Sequence, residues 1–242
     1  MRQSRIYTPE DLAAKEKVEL TGSTSHYLSR VLRLSAGDCV ILFNGDGRDY
    51  SGEICDVQRQ GVTISLMASR VSENESPLKI TLVQAISRGE RMDHSLQKAT
   101  ELGVFCIQPV TSQRVEVRLD ENRRAKRLAH WQGVVISACE QSGRAVIPDV
   151  KAPLCLDEWV KSSAGLTRLV LDPTAKTRLS SLSITADAVS IVVGPEGGFS
   201  DGEMEDLRMG GVKEVSLGPR VLRTETAGPA AIAVLQAVYG DF

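Results

Sequence analysis

The sequence of 242 residues predicts an α/β protein in two parts. Residues 1–73 read as a small β-rich domain, and residues 74–242 as a larger domain built on a mostly parallel sheet. Three observations carry this prediction. Between residues 38 and 67 the hydrophobic runs are short and separated by turn signals. From residue 79 onward, strand-like and helix-like patterns alternate. Finally, two Gly-Pro loops near the C-terminus each follow a valine-rich run and precede a helical pattern, as expected at the carboxyl ends of parallel strands.

The elements follow in order. Residues 26–34 have helical spacing, which places Arg30 and Arg33 three apart on one face. Residues 38–43 form a strand running into Asn44-Gly45-Asp46-Gly47, a strong turn signal. Strands over 49–57 and 61–67 are separated by a turn at Arg59-Gln60-Gly61, which completes a small β-barrel with one helix. The tract Ser72-Glu73-Asn74-Glu75-Ser76-Pro77 is polar and carries a proline, and it marks the domain boundary. Beyond it, 79–86 reads as a strand and 89–102 as a helix stopped by Gly103. Residues 104–110 form a strand. Residues 121–141 form a long helix that starts with Arg123, Arg124, Lys126 and Arg127 and turns apolar later. Strands over 168–171, 189–193 and 212–217 lead into Asp172-Pro173, the first Gly-Pro loop and the second. Ser200 and Glu203 have the spacing of a capping box, and Pro229 fits the first turn of a closing helix that ends near Gly240.

Composition narrows the function. Hydrophobic residues at 42% and charged residues at 25% suit a soluble globular protein. Aromatics at only 4% argue against a protein that binds single strands by stacking bases on rings. A net charge of −2 gives no general affinity for polyanions. Its distribution is uneven, however: residues 79–151 carry 12 basic and 8 acidic side chains, a net of +4, and residues 152–242 carry 8 and 12, a net of −4. A localised basic region fits a localised phosphate contact. The five cysteines (Cys39, Cys55, Cys106, Cys139, Cys155) and three histidines (His26, His94, His130) share no ligand spacing, so no metal site is expected and the thiols read as reduced, in a cytosolic protein. Met1-Arg2-Gln3-Ser4-Arg5 leads into no apolar stretch of the kind a signal peptide has, and no run of about 20 apolar residues could span a bilayer.

The two loops carry the chemistry. The first is Gly194-Pro195-Glu196-Gly197-Gly198. It lacks the spacing of a phosphate-binding fingerprint, and Glu196 would repel a phosphate. Its ligand is expected to be neutral or cationic, although a glycine-rich turn before a capped helix explains the loop equally well. The second is Leu217-Gly218-Pro219-Arg220-Val221-Leu222-Arg223-Thr224-Glu225-Thr226-Ala227. It packs Arg220, Arg223, Thr224, Glu225 and Thr226 into seven positions between a hydrophobic strand and an apolar helix. Part of it is expected near the core, where charges need partners, and Arg223 and Glu225 read as such a pair. That pair would leave Arg220 and Gly218-Pro219 unexplained.

Together these loops resemble those of the SPOUT methyltransferases, and within them the bacterial 16S ribosomal RNA uridine-N3 methyltransferase family. Three further segments agree with this: Ser87-Arg88-Gly89-Glu90-Arg91-Met92 leading into Gln97-Lys98-Ala99-Thr100-Glu101-Leu102-Gly103, Glu140-Gln141-Ser142-Gly143-Arg144, and His26-Tyr27-Leu28-Ser29-Arg30-Val31-Leu32-Arg33. The resemblance spans nearly the whole chain. It implies a PUA-like N-terminal barrel for RNA binding and a C-terminal SPOUT domain with a trefoil knot, paired as a homodimer in the cytoplasm. It implies S-adenosylmethionine as cofactor, held by Leu171, Asp172, Pro173, Gly194, Pro195, Glu196, Gly197, Gly198, Leu217, Gly218, Leu222, Thr224, Thr226 and Ala227. The implied reaction methylates N3 of uridine 1498 in 16S rRNA of the small ribosomal subunit, without a metal or a membrane. Removing the N3 proton calls for a base. Glu225 is one candidate, and Arg220 and Arg223 would stabilise a uracil anion or hold the loop. Arg30, Arg33, Arg88, Arg91 and Arg144 are the expected RNA contacts, with Arg123, Arg124 and Arg127 as further ones. A tRNA ribose methyltransferase and a non-catalytic RNA-binding protein are the alternatives. A dinucleotide dehydrogenase is disfavoured by the missing phosphate fingerprint.

Overall fold

The computed structural model describes residues 3–114, 121–162 and 167–242, with only the backbone at 121 and 122. The chain divides into two compact units. One comprises Met1–Glu75 with Cys139–Ile147, and the other comprises Ser76–Ala138 with Pro148–Phe242.

In the first unit, strands β1 (Ser4–Tyr7), β2 (Lys17–Thr21), β3 (Cys39–Phe43), β4 (Arg48–Val57) and β5 (Gly61–Val71) form a sheet of order β1-β3-β4-β5-β2. β1 runs parallel to β3, and the other pairs are antiparallel. The β3–β4 turn holds Gly45 and Gly47 at φ of 97° and 83°, which is why the Asn-Gly-Asp-Gly signal needs its glycines. Inward residues alternate along the strands and bury Ile6, Val40, Leu42, Ile54, Val62 and Ile64 against Leu28. Leu28 lies on a short helical segment, α1 (Gly22–His26), continued by a π turn over Tyr27–Val31. This differs from the expected helix over 26–34. Arg33 lies beyond the helical end at φ 55°, so Arg30 and Arg33 do not share a helical face.

Residues 139–147 also pack in this unit. The Glu140 carboxylate accepts the Tyr7 N–H at 3.0 Å. Burial pushes its pKa up, against the pull of that N–H and of Arg5. Arg144 is 4% exposed and binds Glu75 through Nε at 3.1 Å and Nη2 at 2.6 Å. Its expected role in contacting RNA gives way to a structural one, because a guanidinium this deeply buried is stable only when paired.

The second unit is built on a parallel sheet of order β12-β10-β11-β6-β7-β8, with β9 also beside β7. In chain order its elements are β6 (Lys79–Ala85), α2 (Glu90–Glu101), β7 (Cys106–Thr111), α3 (Glu121–Ser142, whose last residues belong to the first unit), β8 (Asp149–Val150), β9 (Leu154–Cys155), α4 (Leu156–Ser162), β10 (Thr167–Leu171), β11 (Ala188–Val193), α5 (Asp201–Met209), β12 (Lys213–Val215) and α6 (Thr224–Tyr239). The central strands β6 and β11 are apolar almost throughout, because helices cover both faces of a parallel sheet. The segment between β10 and β11 lies over the chain that follows β12. Leu179 N–H donates to Ser216 O at 2.9 Å, Ser216 N–H donates to Thr177 O at 2.9 Å, and the Tyr239 hydroxyl of α6 donates to Leu182 O.

Both predicted helix caps are present. Ser200 and Glu203 form the reciprocal capping box at α5. Gly103 ends α2 at φ 82°, with Gly103 N–H bonded to Thr100 O and Val104 N–H to Ala99 O. Pro229 does not start the closing helix. α6 begins five residues earlier, at Thr224, and Pro229 sits inside it. Among the described residues no helix is long and apolar enough to cross a membrane, and no cluster of metal-ligating side chains is found.

Gln236 ties the far end of α6 to the end of α2. Fully buried, it donates through Nε2 to Leu102 O at 3.1 Å and Gly103 O at 3.3 Å, while its Oε1 accepts from the Ser76 hydroxyl at 2.7 Å. Gln236→Leu keeps the bulk and strands those groups. It is expected to cost about 2 kcal/mol of stability, read by denaturant unfolding.

Candidate active site

A cavity of about 420 Å³ opens at the carboxyl ends of β10, β11 and β12, the position where parallel sheets bind ligands. Three chain segments wall it. After β10 come Leu171, Asp172 and Pro173. After β11 come Gly194, Pro195, Glu196 and Gly198. After β12 come Leu217, Gly218, Leu222, Thr224 and Ala227, with Arg220, Arg223 and Glu225. The structure therefore brings together nearly every residue that the two loop motifs singled out. Gly197, Pro219 and Thr226 are absent from the wall. Gly197 faces the Arg114 side chain, and Thr226 is exposed.

Each segment has a local reason for its shape. The Asp172 carboxylate accepts the N–H and hydroxyl of Thr174 at 2.7 and 2.8 Å, turning the chain as it leaves β10. In the first Gly-Pro loop, Gly198 N–H closes a turn onto Pro195 O at 2.9 Å with Gly198 at φ 67°. The Phe199 ring lies so close to Gly194 that an added Cβ would stand 3.3 Å from Cε2. In the second loop, Thr226 and Ala227 N–H both donate to Arg223 O at 2.9 Å as α6 starts.

One hydroxyl joins the two loops. Thr224 Oγ1 donates to Gly194 O at 2.7 Å and accepts from Gln84 Nε2 at 3.0 Å. Gln84 is fully buried in β6, directly beneath. Gly228, one turn on, lets α6 seat closely: a Cβ there would lie 3.2 Å from Leu82 Cδ1 and 3.4 Å from Gln84 Oε1.

The charged groups lie differently from the sequence reading. Arg220 and Arg223 are exposed rather than near the core, and Glu225 is half-buried. No ion pair joins Arg223 to Glu225 among the described residues; the Glu225 charge instead acts on Arg91. The ion pair at the rim is instead Arg91–Glu196, at 2.8 Å. Burial alone would raise the Glu196 pKa. Hydrogen bonds from its own backbone N–H, the Arg91 guanidinium and the Arg88 N–H outweigh it, and the carboxyl sits below the usual range. Arg91, expected as an RNA contact, thus lines the cavity, while Arg88, Arg30 and Arg33 are exposed.

The sequence reading missed Val193, Val215 and Val221 in the wall, and Gln84 behind it. Val193 and Val215 are the last residues of their strands. A lone glutamine in the apolar run Leu82-Val83-Gln84-Ala85 was the signal for Gln84. Thr224→Val would preserve the shape but remove the donor to Gly194 O and leave Gln84 Nε2 only its bond to Ala85 O. It is expected to lower stability by about 2 kcal/mol, whereas Thr224→Ser, which keeps the hydroxyl, loses less in the same thermal-unfolding comparison.

Comparison with known proteins agrees with this geometry. The RNA methyltransferase domain family matches residues 74–236, and the RNA methyltransferase PUA domain matches residues 20–67. The ribosomal RNA small subunit methyltransferase E of Buchnera aphidicola subsp. Schizaphis graminum is 36% identical over 241 residues, covering 99% of this chain and 98% of its own length. A ribosomal RNA small subunit methyltransferase E from Neisseria gonorrhoeae, solved bound to S-adenosyl methionine, superposes with a TM-score of 0.95 at 40% identity over the whole of both chains. A Legionella pneumophila protein solved with bound cofactor SAM gives the same values. With a family match across most of its length and full-length relatives above 30% identity, this chain belongs to the RNA methyltransferase family that includes ribosomal RNA small subunit methyltransferase E.

Proposed function

We propose that this protein is an S-adenosylmethionine-dependent methyltransferase acting on N3 of uridine 1498 in 16S rRNA of the small ribosomal subunit. The observation that carries this reading is the cavity at the ends of β10, β11 and β12, with Arg220, Arg223 and Glu225 on its wall, in a chain related along its full length to such enzymes.

The cavity residues suit this cofactor. A volume of about 420 Å³ falls within the roughly 300–1,000 Å³ of small-molecule pockets. Leu171, Val193, Val215 and Leu222 offer apolar surface to an adenine ring, while the glycines expose main-chain N–H and C=O groups to its polar edge. Glu196 and Glu225 favour a cation over a phosphate. When bound, S-adenosylmethionine supplies a methyl group activated by its sulfonium. The protein's own part is proton removal and charge stabilisation. The Glu225 carboxylate takes the N3 proton of uracil. The Arg220 and Arg223 guanidiniums, always protonated, stabilise the anion that results.

Finer features of the architecture follow the same reading. We infer a division into a PUA-like RNA-binding domain, residues 1–73, whose sheet curls as a barrel, and a SPOUT methyltransferase domain, residues 74–242. Its trefoil knot is supported by the β10–β11 segment lying across the chain between β12 and α6. Ala230, Ala233, Val234, Ala237 and Val238 give α6 a partly exposed face of small apolar residues, which fits a homodimer through this domain. Exposed Arg30, Arg33 and Arg88, with Arg91 at the cavity rim, are the RNA contacts, and the cytoplasm is the place of action.

Three measurements test this. Small subunits lacking the modification, incubated with the protein and methyl-labelled S-adenosylmethionine, should yield N3-methyluridine at that single position by mass spectrometry; label at a ribose oxygen or in tRNA would favour the alternative target. Glu225→Gln should slow methyl transfer about 100-fold or more; an unaltered rate would remove Glu225 as base. RNA affinity should fall with added salt, with a log–log slope of about −3 for four phosphate contacts. A slope near zero would exclude the arginines.

A further inference from the structure

We propose that Arg114 is a positioning residue that holds the first Gly-Pro loop in its cofactor-binding shape; this deepens the methyltransferase reading and rests on it. Arg114 lies just beyond β7, remote in sequence from both loops. Its Nη1 donates to Gly197 O at 2.8 Å and to Phe199 O at 3.2 Å. Its alkyl stem covers Gly197, where an added Cβ would meet Arg114 Cδ at 3.6 Å. Next to it, Gln113 N–H donates to Glu203 Oε1 at 2.7 Å, and the other Glu203 oxygen accepts Ser200 N–H at 2.8 Å.

The β7 end thus fastens Gly197, Phe199 and Ser200 from outside, while Gly194, Pro195, Glu196 and Gly198 face the cavity. The loop needs such a brace. Gly197 and Gly198 lose more backbone freedom on ordering than other residues. The Arg91–Glu196 pair at the other side is largely exposed, where ion pairs contribute little. Arg114 forms no ion pair among the described residues; it is exposed as well, but its two hydrogen bonds fix main-chain carbonyls of the loop itself rather than one side chain. A peptide held at its carbonyl rotates less readily, which favours the orientation of the neighbouring groups that the ligand meets.

The test is calorimetry with S-adenosylhomocysteine on the wild-type protein, Arg114→Ala, Arg114→Lys and, as a control distant from the cavity, Lys161→Ala. Arg114→Ala should bind about tenfold more weakly, about 1.4 kcal/mol, with its ligand-free melting temperature little changed. Arg114→Lys, which retains one charged donor, should recover part of the loss, and Lys161→Ala should match the wild type. In methyl transfer, the loss should appear in the KM for S-adenosylmethionine more than in kcat. Equal affinity in Arg114→Ala, or a loss explained by a parallel fall in melting temperature without rescue by lysine, would overturn the proposal. Should Arg114→Ala fail to fold, Arg114→Gln and Arg114→Lys read the same ratio. Absence of binding by the wild type would instead overturn the methyltransferase reading itself.

Discussion

The Thr224 hydroxyl has one proton to give and lone pairs to receive, and the fold uses both: it donates to Gly194 O on the loop after β11 and accepts from Gln84 on β6. Much else follows from this arrangement. It places the first residue of α6 against the end of the central strands. That helix begins more than a turn before Pro229, and Arg220, Arg223 and Glu225 flank its first residue on the cavity wall. A buried amide such as Gln84 is costly without a partner, and here the partner is the residue that joins two walls of the site.

Around this contact the second unit sorts its polar groups by burial. β6 and β11 are largely apolar, and the fully buried exception, Gln84, donates to Thr224 Oγ1 and Ala85 O. At the cavity, charges stay where water reaches them. The guanidiniums of Arg220 and Arg223 are exposed on the cavity wall. Arg144 shows the opposite case: buried, doubly bonded to Glu75 and further engaged through its carbonyl by Arg5, it is committed to structure. Arginines in equally prominent motifs thus lie in surroundings of very different dielectric, and only the buried one needs a fixed partner.

The same logic separates the two fastenings of the first Gly-Pro loop. Arg91 reaches Glu196 across a rim open to solvent, a contact that solvent and salt can weaken. Arg114 and Gln113 act on the far side through main-chain groups. A loop with three glycines in five residues gains its order from such neighbours rather than from its own preferences.

The sequence by itself determined the alternation of strands and helices, the Gly103 stop, the capping box at Ser200 and the identity of most cavity residues. Each of these depends on contacts or conformations only a few residues apart. Turn chemistry, capping and period belong to the local chain, and both loop motifs are contiguous. Tertiary structure alone decided which charges lie in water, which pair, and which distant segment reaches a loop. The expected Arg223–Glu225 pair yielded to Arg91–Glu196, Arg144 went inside, and Arg33 left its helical face through a left-handed turn. The β7 end, some 80 residues before the loop it braces, carries no pattern that would announce the contact. Burial and pairing energies depend on what the whole fold packs around a group, and that surrounding exists only once strands distant in the chain lie side by side.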